Sequence, residues 1–174
     1  MTMTADDRIA TLISAFRDPS VDRRHDAIQK LVQCGGRAVA PLIIALRDAP
    51  DSDLRWYAAV ALARIGEPAI TPLLAAMNVD RDADFRKYAA AALGGIGEPA
   101  VEPIIEAMAM DDREMRGFLS LALCRIGTPA IGPLTRSLES SSEIIKSCAA
   151  LTLWQMGEDG IASIVEKIER ENPG

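Results

Sequence analysis

The sequence predicts an all-α protein, a right-handed α-solenoid of about five similar helix pairs followed by a closing helix. Three observations lead to this fold class: the chain of 174 residues repeats itself, it contains 28 alanines, and 49% of its residues are hydrophobic while only 4% are aromatic. Alanine is the best helix former and is depleted in strands. One repeated helix pair cannot bury its apolar face without the next copy. We therefore expect a single repeat domain over residues 1–174.

Glycines at a constant interval mark the repeat. They lie 31, 31, 30 and 30 residues apart, at Gly35, Gly66, Gly97, Gly127 and Gly157. Around them the string ARIGEPAITPL (63–73) returns as GGIGEPAVEPI (94–104) and CRIGTPAIGPL (124–134). The approximate repeats are therefore 4–35, 36–66, 67–97, 98–127 and 128–157, with a closing helix at 159–170.

The first helix of each pair is expected to begin after an EPA or TPA motif. Its proline stands where the missing N–H has no effect, at Pro68, Pro99 and Pro129. A second proline four residues later removes a backbone hydrogen bond and is expected to bend the helix; this group is Pro72, Pro103 and Pro133.

The second helix is expected to begin at a short polar N-cap residue and to end at the repeat glycine in the αL conformation. The predicted N-caps are Ser20, Asp51, Asp82, Asp112 and Ser141. An acid follows each cap in the first turn, where the helix dipole favours negative charge: Asp22, Asp53, Asp84, Glu114 and Glu143. The closing helix is expected to be an amphipathic cap, since EKIEREN at 166–172 has the required polarity.

Charge and composition exclude several function classes. A net charge of −6 repels phosphate backbones and anionic lipids, so neither nucleic acid nor a membrane surface is an expected partner. The cysteines Cys34, Cys124 and Cys148 form no CxxC pair and are expected to be small buried residues in a reducing compartment. The acidic start MTMTADDRIA and the lack of a long apolar run predict neither a secretory signal nor a membrane span. We therefore expect a cytoplasmic protein.

The second helices and the motifs after them carry a family resemblance. The strings LRWYAAVALARIG, FRKYAAAALGGIG and MRGFLSLALCRIG, each followed by EPA or TPA, resemble the HEAT-like repeats of the phycobilisome-lyase (PBS lyase) type over almost the whole chain. The resemblance implies an armadillo-like α-solenoid in which the Pro-bearing helices are convex and the Arg-bearing helices concave. The family includes scaffolds, bilin lyases and a hydroxylase, so the resemblance leaves function open.

The hydroxylase can be tested directly on the residues. HEAT-like deoxyhypusine hydroxylases hold two irons with His–Glu dyads on the second helices, whereas here only His25–Asp26 is similar. The corresponding His positions of the other repeats hold Trp56, Lys87, Gly117 and Ser147. A di-iron site therefore cannot be assembled, and we expect no bound metal, no cofactor and no catalytic residue.

A basic residue recurs once per repeat on the second helices. The column consists of Arg24, Arg55, Arg86, Arg116 and Lys146. Its regularity favours a structural role, and in HEAT-like repeats the corresponding arginine commonly joins a ladder of acids between repeats. The alternative is a positive stripe that awaits an acidic partner.

The residues after this column vary, and they are where a repeat protein stores specificity. Aromatic residues concentrate there in the central repeats, next to cations, as in binding hot spots. The candidate partner-binding residues are Trp56, Tyr57, Arg86, Lys87, Tyr88 and Phe118. The column Tyr57, Tyr88 and Phe118 has a second interpretation, packing between neighbouring helices, while Val60, Ala91 and Leu121 are expected to form an apolar groove floor.

These observations favour a non-enzymatic scaffold or adaptor that binds a protein or peptide on the concave face, as a monomer or weak homodimer. The alternative, from the resemblance, is a bilin-lyase-like subunit or a chaperone of cofactor attachment. A third possibility, a HEAT-like DNA glycosylase, requires a basic face that a net charge of −6 does not favour.

Overall fold

A computed structural model describes residues 4–171 of the chain. Within that range the chain forms eleven α-helices and no strand, which confirms the predicted all-α class. Residues 1–3 and 172–174 lie outside the described residues, and with them part of the acidic start and of the EKIEREN segment. The helices form two compact units, the first ending at Ile96 and the second beginning at Gly97. The single domain over 1–174 stays a prediction.

The first unit contains three helix pairs. They are α1 (Ala5–Ser14) with α2 (Val21–Cys34), α3 (Val39–Asp48) with α4 (Ser52–Ile65), and α5 (Ile70–Val79) with α6 (Ala83–Ile96). The first helices contact one another in sequence order, and so do the second helices, so that two helical layers enclose the core. Alanines and leucines fill the space between α4 and α6, because small side chains let the two backbones come close.

The second unit contains two helix pairs and the closing helix. They are α7 (Val101–Ala107) with α8 (Arg113–Ile126), α9 (Thr128–Ser137) with α10 (Glu143–Gln155), and α11 (Glu158–Glu171). α8 contacts α10, α7 contacts α9, and α11 packs on both α9 and α10. The closing helix predicted at 159–170 is therefore present.

In two of the three repeats the first helix begins after the motif, as predicted, but the second proline does not have the expected effect there. Both EPA motifs form 3-10 turns, Glu67–Ala69 and Glu98–Ala100, and the α-helix begins only after them. Pro72 and Pro103 consequently stand in the first turn of α5 and α7, where no intrahelical bond is available to be lost. The lost hydrogen bond on which the expected bend depends is therefore absent at these two, and of the three second prolines only Pro133 lies beyond the first turn of its helix.

The N-caps of the second helices are confirmed in four repeats and wrong in the last. Ser20, Asp51, Asp82 and Asp112 each accept a hydrogen bond from the backbone N–H three residues later. In the last repeat the cap is Ser142, which accepts from the Ile145 N–H, rather than Ser141. The basic column indicates this register, because Lys146 lies four residues after Ser142 as Arg116 lies four after Asp112. The predicted acids lie in the first turn of every second helix.

The corrected cap can be tested with two adjacent serines. Ser142→Ala is expected to lower the free energy of unfolding by about 1 kcal/mol, because it removes the acceptor of an otherwise unpaired N–H. Ser141→Ala is the matched control, and its effect should stay within about 0.5 kcal/mol. Urea denaturation of both variants measures the difference; an equal loss for both would contradict the assignment of the cap.

The repeat glycines have positive φ, but Gly35, Gly66, Gly97 and Gly127 do not have the predicted αL conformation. Their φ values lie between 57° and 86°, while ψ at Gly66 is −138° and at Gly97 −145°. The αL region has ψ near +47°, so these residues occupy an extended region that essentially only glycine adopts. The chain therefore leaves each second helix in an extended direction and enters the next helix at once.

The closing helix α11 is amphipathic, yet its outer surface is not uniformly polar. Ser163 faces inward, with its hydroxyl 2.8 Å from that of Thr135, and Lys167 pairs with Glu139. Ile161, Val165 and Ile168 follow one exposed face and are 41–53% exposed. The outer face of α11 is therefore less polar than the segment 166–172 led us to expect for a capping helix.

Candidate interaction surface

Four arginines of the basic column make the same type of hydrogen bond, each to a backbone carbonyl of its own repeat. Each guanidinium donates to the carbonyl oxygen six residues earlier, in the connection between the two helices of its own repeat. The pairs are Arg24 with Asp18 (2.7 Å), Arg55 with Ala49 (3.0 Å), Arg86 with Asp80 (2.9 Å) and Arg116 with Met110 (2.6 Å). Carbonyls at and beyond a helix C-terminus have no intrahelical partner, so the arginine satisfies them.

The predicted ladder of acids between repeats is seen at Arg55. Arg55 approaches Asp82 and Asp84 of the next repeat at 3.9 and 3.7 Å. Lys146 instead pairs within its own helix, with Glu143 at 2.6 Å. The structural interpretation of the column is therefore supported, with backbone carbonyls as the recurring partners.

Arg86 is fully buried, with 0% of its surface exposed. Its Nε donates to the carbonyl oxygens of Met77 at 3.0 Å and Asp80 at 2.9 Å. A residue without exposed surface cannot touch a partner, so the predicted direct contact is wrong for Arg86. Its position in a column of otherwise partly exposed residues gave no indication of this burial.

Tyr57 and Trp56 are neighbours on α4 with different environments. Tyr57 is half-buried: its ring lies 5.8 Å from that of Phe16, and the Arg24 guanidinium lies 5.2 Å from its centroid. This contact fits the packing interpretation of the tyrosine column. Trp56 is 46% exposed, which leaves a large aromatic surface open to solvent.

Lys87 stands at the position on α6 that Trp56 occupies on α4, and the two helices contact each other. Lys87 is exposed, with its ammonium 5.8 Å from the ring centroid of the half-buried Tyr88. Val60 and Ala91, one turn further along the two helices, are half-buried. We call Trp56, Val60, Lys87 and Ala91 the Trp56–Lys87 face. It combines an aromatic anchor, a cation and small apolar surface.

Phe118, the last predicted site residue, is half-buried on α8 in the second unit. This unit exposes four other large apolar side chains on its second helices: Leu121 (61%), Ile144 (40%), Leu151 (53%) and Trp154 (65%). Leu121 was expected in the groove floor, whereas the sequence reasoning missed Ile144, Leu151 and Trp154. The repeat does indicate Leu151, because it follows Leu121 by 30 residues.

The titratable side chains of the described residues suggest no activated nucleophile. All three thiols are free and half-buried. Burial raises the pKa of the Cys124 thiol; it also raises the pKa of Cys148, where the Arg116 charge acts in the opposite direction. His25 is exposed. Among residues 4–171, no three His, Cys, Asp or Glu side chains come together as metal ligands, and no described helix could cross a membrane.

Comparison with known proteins gives one family match and several similar folds. The family model of HEAT repeats matches residues 9–94 and 70–154. The CpcE–CpcF complex of phycocyanin lyase from Nostoc sp. PCC7120 contains a chain 23% identical, with 83% of this chain and 96% of that chain covered and a TM-score of 0.42. A computationally designed armadillo repeat protein for modular peptide recognition is 18% identical, with coverages of 93% and 92% and a TM-score of 0.33. No curated protein matches the sequence at a significant level.

Proposed function

This chain belongs to the HEAT-repeat family, and we propose that it is a non-enzymatic scaffold or adaptor that binds a protein or peptide partner through its Arg-bearing second helices. The observation that carries the proposal is the exposure of Trp56 beside Lys87 on the adjacent helices α4 and α6. Tryptophan is enriched in binding hot spots and is highly buried on average in folded proteins, so a tryptophan with nearly half of its surface exposed favours a binding role. The family resemblance predicts this face to be concave.

The surroundings of the Trp56–Lys87 face favour binding with little rearrangement. Tyr57 is held by Phe16 and Arg24 directly behind the exposed position. A rigid aromatic side chain loses little rotamer entropy when a partner covers it. Lys87 can pair with a partner carboxylate, and Val60 and Ala91 supply half-buried apolar surface next to it. An acidic or mixed peptide is therefore the partner chemistry that this face fits.

Two substitutions test the face once a partner has been isolated by pull-down from the source cell. Trp56→Ala is expected to weaken binding by about 2 kcal/mol, or about 30-fold, and Lys87→Glu to weaken it by repulsion of partner carboxylates. Neither change should alter the helical circular dichroism, because both side chains are exposed. Isothermal titration calorimetry measures the affinities.

Ile44→Ala is the matched control, because Ile44 is an exposed apolar residue on the first helix α3. It should leave the affinity unchanged. Normal binding by both test variants, together with loss of binding in Ile44→Ala or Glu106→Lys, would place the functional face on the first helices and overturn the proposal. Stoichiometric binding of a bilin that Trp56→Ala abolishes would instead support the bilin-lyase-like alternative.

A further inference from the structure

Gly117 lies inside the second helix α8, although neither the backbone geometry nor the packing requires a glycine there. At such a position glycine is about 1 kcal/mol less favourable than alanine. Its φ is outside the left-handed region, and a Cβ built on it would meet no atom within 4 Å. The position corresponds to Trp56 and Lys87 of earlier repeats. A large side chain is thus absent where the fold would accept one.

A cleft of about 350 Å³ lies at this point, between α8 and α10. Gly117 and Ser147, the two small residues at equivalent repeat positions, both line it, and Met108 and Leu151 supply apolar surface. Ligand pockets in proteins begin at about 300 Å³, so the space suits one or two side chains rather than a large cofactor. We call it the Gly117 cleft.

The hydroxyl groups at the bottom of the cleft already have partners. Ser120 is buried, and its Oγ lies 2.8 Å from Thr152 Oγ1 and 2.7 Å from Gln155 Oε1. Thr152 Oγ1 also lies 2.7 Å from the Cys148 carbonyl oxygen. A ligand therefore need not satisfy these groups, and an apolar group can enter without leaving them unpaired.

The charge at the cleft has one sign. Arg113 and Arg116 both line it, and none of the described lining residues is acidic. Arg116 uses Nη1 on the Met110 carbonyl, which leaves other N–H groups of its guanidinium for a ligand, and Arg113 is exposed. Arginine binds carboxylates through paired N–H groups. The cleft therefore combines an apolar space with a carboxylate-binding edge.

We propose that the Gly117 cleft binds a peptide segment of the partner by one apolar side chain whose neighbouring residue is Asp or Glu. The apolar side chain enters between Gly117 and Leu151, and the carboxylate contacts Arg113 and Arg116. Leu121, one turn after Gly117, and Trp154, one turn after Leu151, extend the apolar surface on both helices. The inference rests on the proposed function and specifies the chemistry of the partner.

The test uses a displayed library of random peptides, selected in parallel on the full chain and on its Gly117→Trp variant. The full chain is expected to enrich peptides with an apolar residue beside Asp or Glu. A peptide from this selection should bind Gly117→Trp about 30-fold more weakly, because the indole occupies the space of its anchor. Arg113→Glu should weaken the same peptide and provides a second variant that leaves the cleft open.

Gly132→Trp is the matched control. Gly132 is an exposed glycine inside the first helix α9, and a Cβ there would meet only the tip of Arg136 at 3.8 Å. Gly132→Trp should bind the peptide as tightly as the full chain does. Both tryptophan variants should have a melting temperature equal to or above that of the full chain, because each replaces a glycine inside a helix. Three results of the selection would overturn the cleft proposal: normal binding of the selected peptides to Gly117→Trp, enrichment of a basic motif, or no enrichment at all. A bilin whose binding is lost in Gly117→Trp, but which does not displace the selected peptides, would overturn it as well.

A Trp56→Ala arm separates this proposal from the proposed function. Peptides lost in Trp56→Ala but retained by Gly117→Trp would support the scaffold function and overturn the cleft. Peptides lost in Gly117→Trp support the cleft whether or not they also require Trp56.

Discussion

Gly160→Ala is expected to lower the free energy of unfolding of the second unit by about 3 kcal/mol, the upper range for a forced overlap in a packed core. Gly160 is buried near the start of α11. A Cβ at this position would lie 2.0 Å from the Leu153 carbonyl oxygen and 2.8 Å from its carbon, both backbone atoms of α10. Backbone inside a helix cannot move aside as a flexible side chain can, so α11 must shift away from α10.

The shift separates the contacts that hold α11 in place. The Thr135–Ser163 hydroxyl pair and the Lys167–Glu139 ion pair both join α11 to α9 and the turn that follows it. Hydrogen exchange should therefore show the amides of α11 opening well before those of α8 and α10. Urea denaturation followed by circular dichroism gives the accompanying loss of stability.

Gly132→Ala is the matched control, with the opposite expected sign. Its Cβ meets only the Arg136 side chain at ordinary contact distance, so alanine should stabilise the helix by about 0.5–1 kcal/mol. If Gly160→Ala were as stable as the unchanged chain, and its α11 amides equally protected, the close approach of α10 and α11 would be contradicted.

These glycines show where sequence reasoning on the fold reaches its limit. The repeat glycines were identifiable because of their constant interval, and three of them also because they stand directly before an EPA or TPA motif. Gly117 and Gly160 have no such local mark, yet one borders open space and the other touches backbone. The difference depends on the distance between helices, which a local pattern does not contain.

The candidate site divides in the same way. The exposure of Trp56 and Lys87 follows from their variable position, which points away from the buried alanine columns of α4 and α6. The burial of Arg86 could not be read from its column, because Arg24, Arg55 and Arg116 remain partly exposed with similar partners. The Gly117 cleft was missed because it exists where two repeats have a small residue, Gly117 and Ser147, in place of a large one.

Arg86→Met is expected to lower the free energy of unfolding of the first unit by about 3 kcal/mol. Methionine keeps much of the volume, but it cannot donate to the Met77 and Asp80 carbonyls, which the Arg86 Nε now contacts at 3.0 and 2.9 Å. A buried carbonyl without a donor loses its hydration and gains nothing in exchange. Arg86→Lys should lose less, because its ammonium keeps the charge and can donate hydrogen bonds, although it lacks the planar guanidinium.

Arg81→Met provides the control, because Arg81 is an exposed residue of the same α5–α6 connection. Its effect should remain within about 0.5 kcal/mol. Thermal and urea denaturation of the three variants, combined with partner affinity measured below their melting points, distinguish the two roles considered for Arg86. A structural role predicts a large loss of stability with the affinity of the folded protein nearly unchanged. An Arg86→Met protein that melts normally but no longer binds would show that the arginine reaches the partner after all, and would restore it to the binding site.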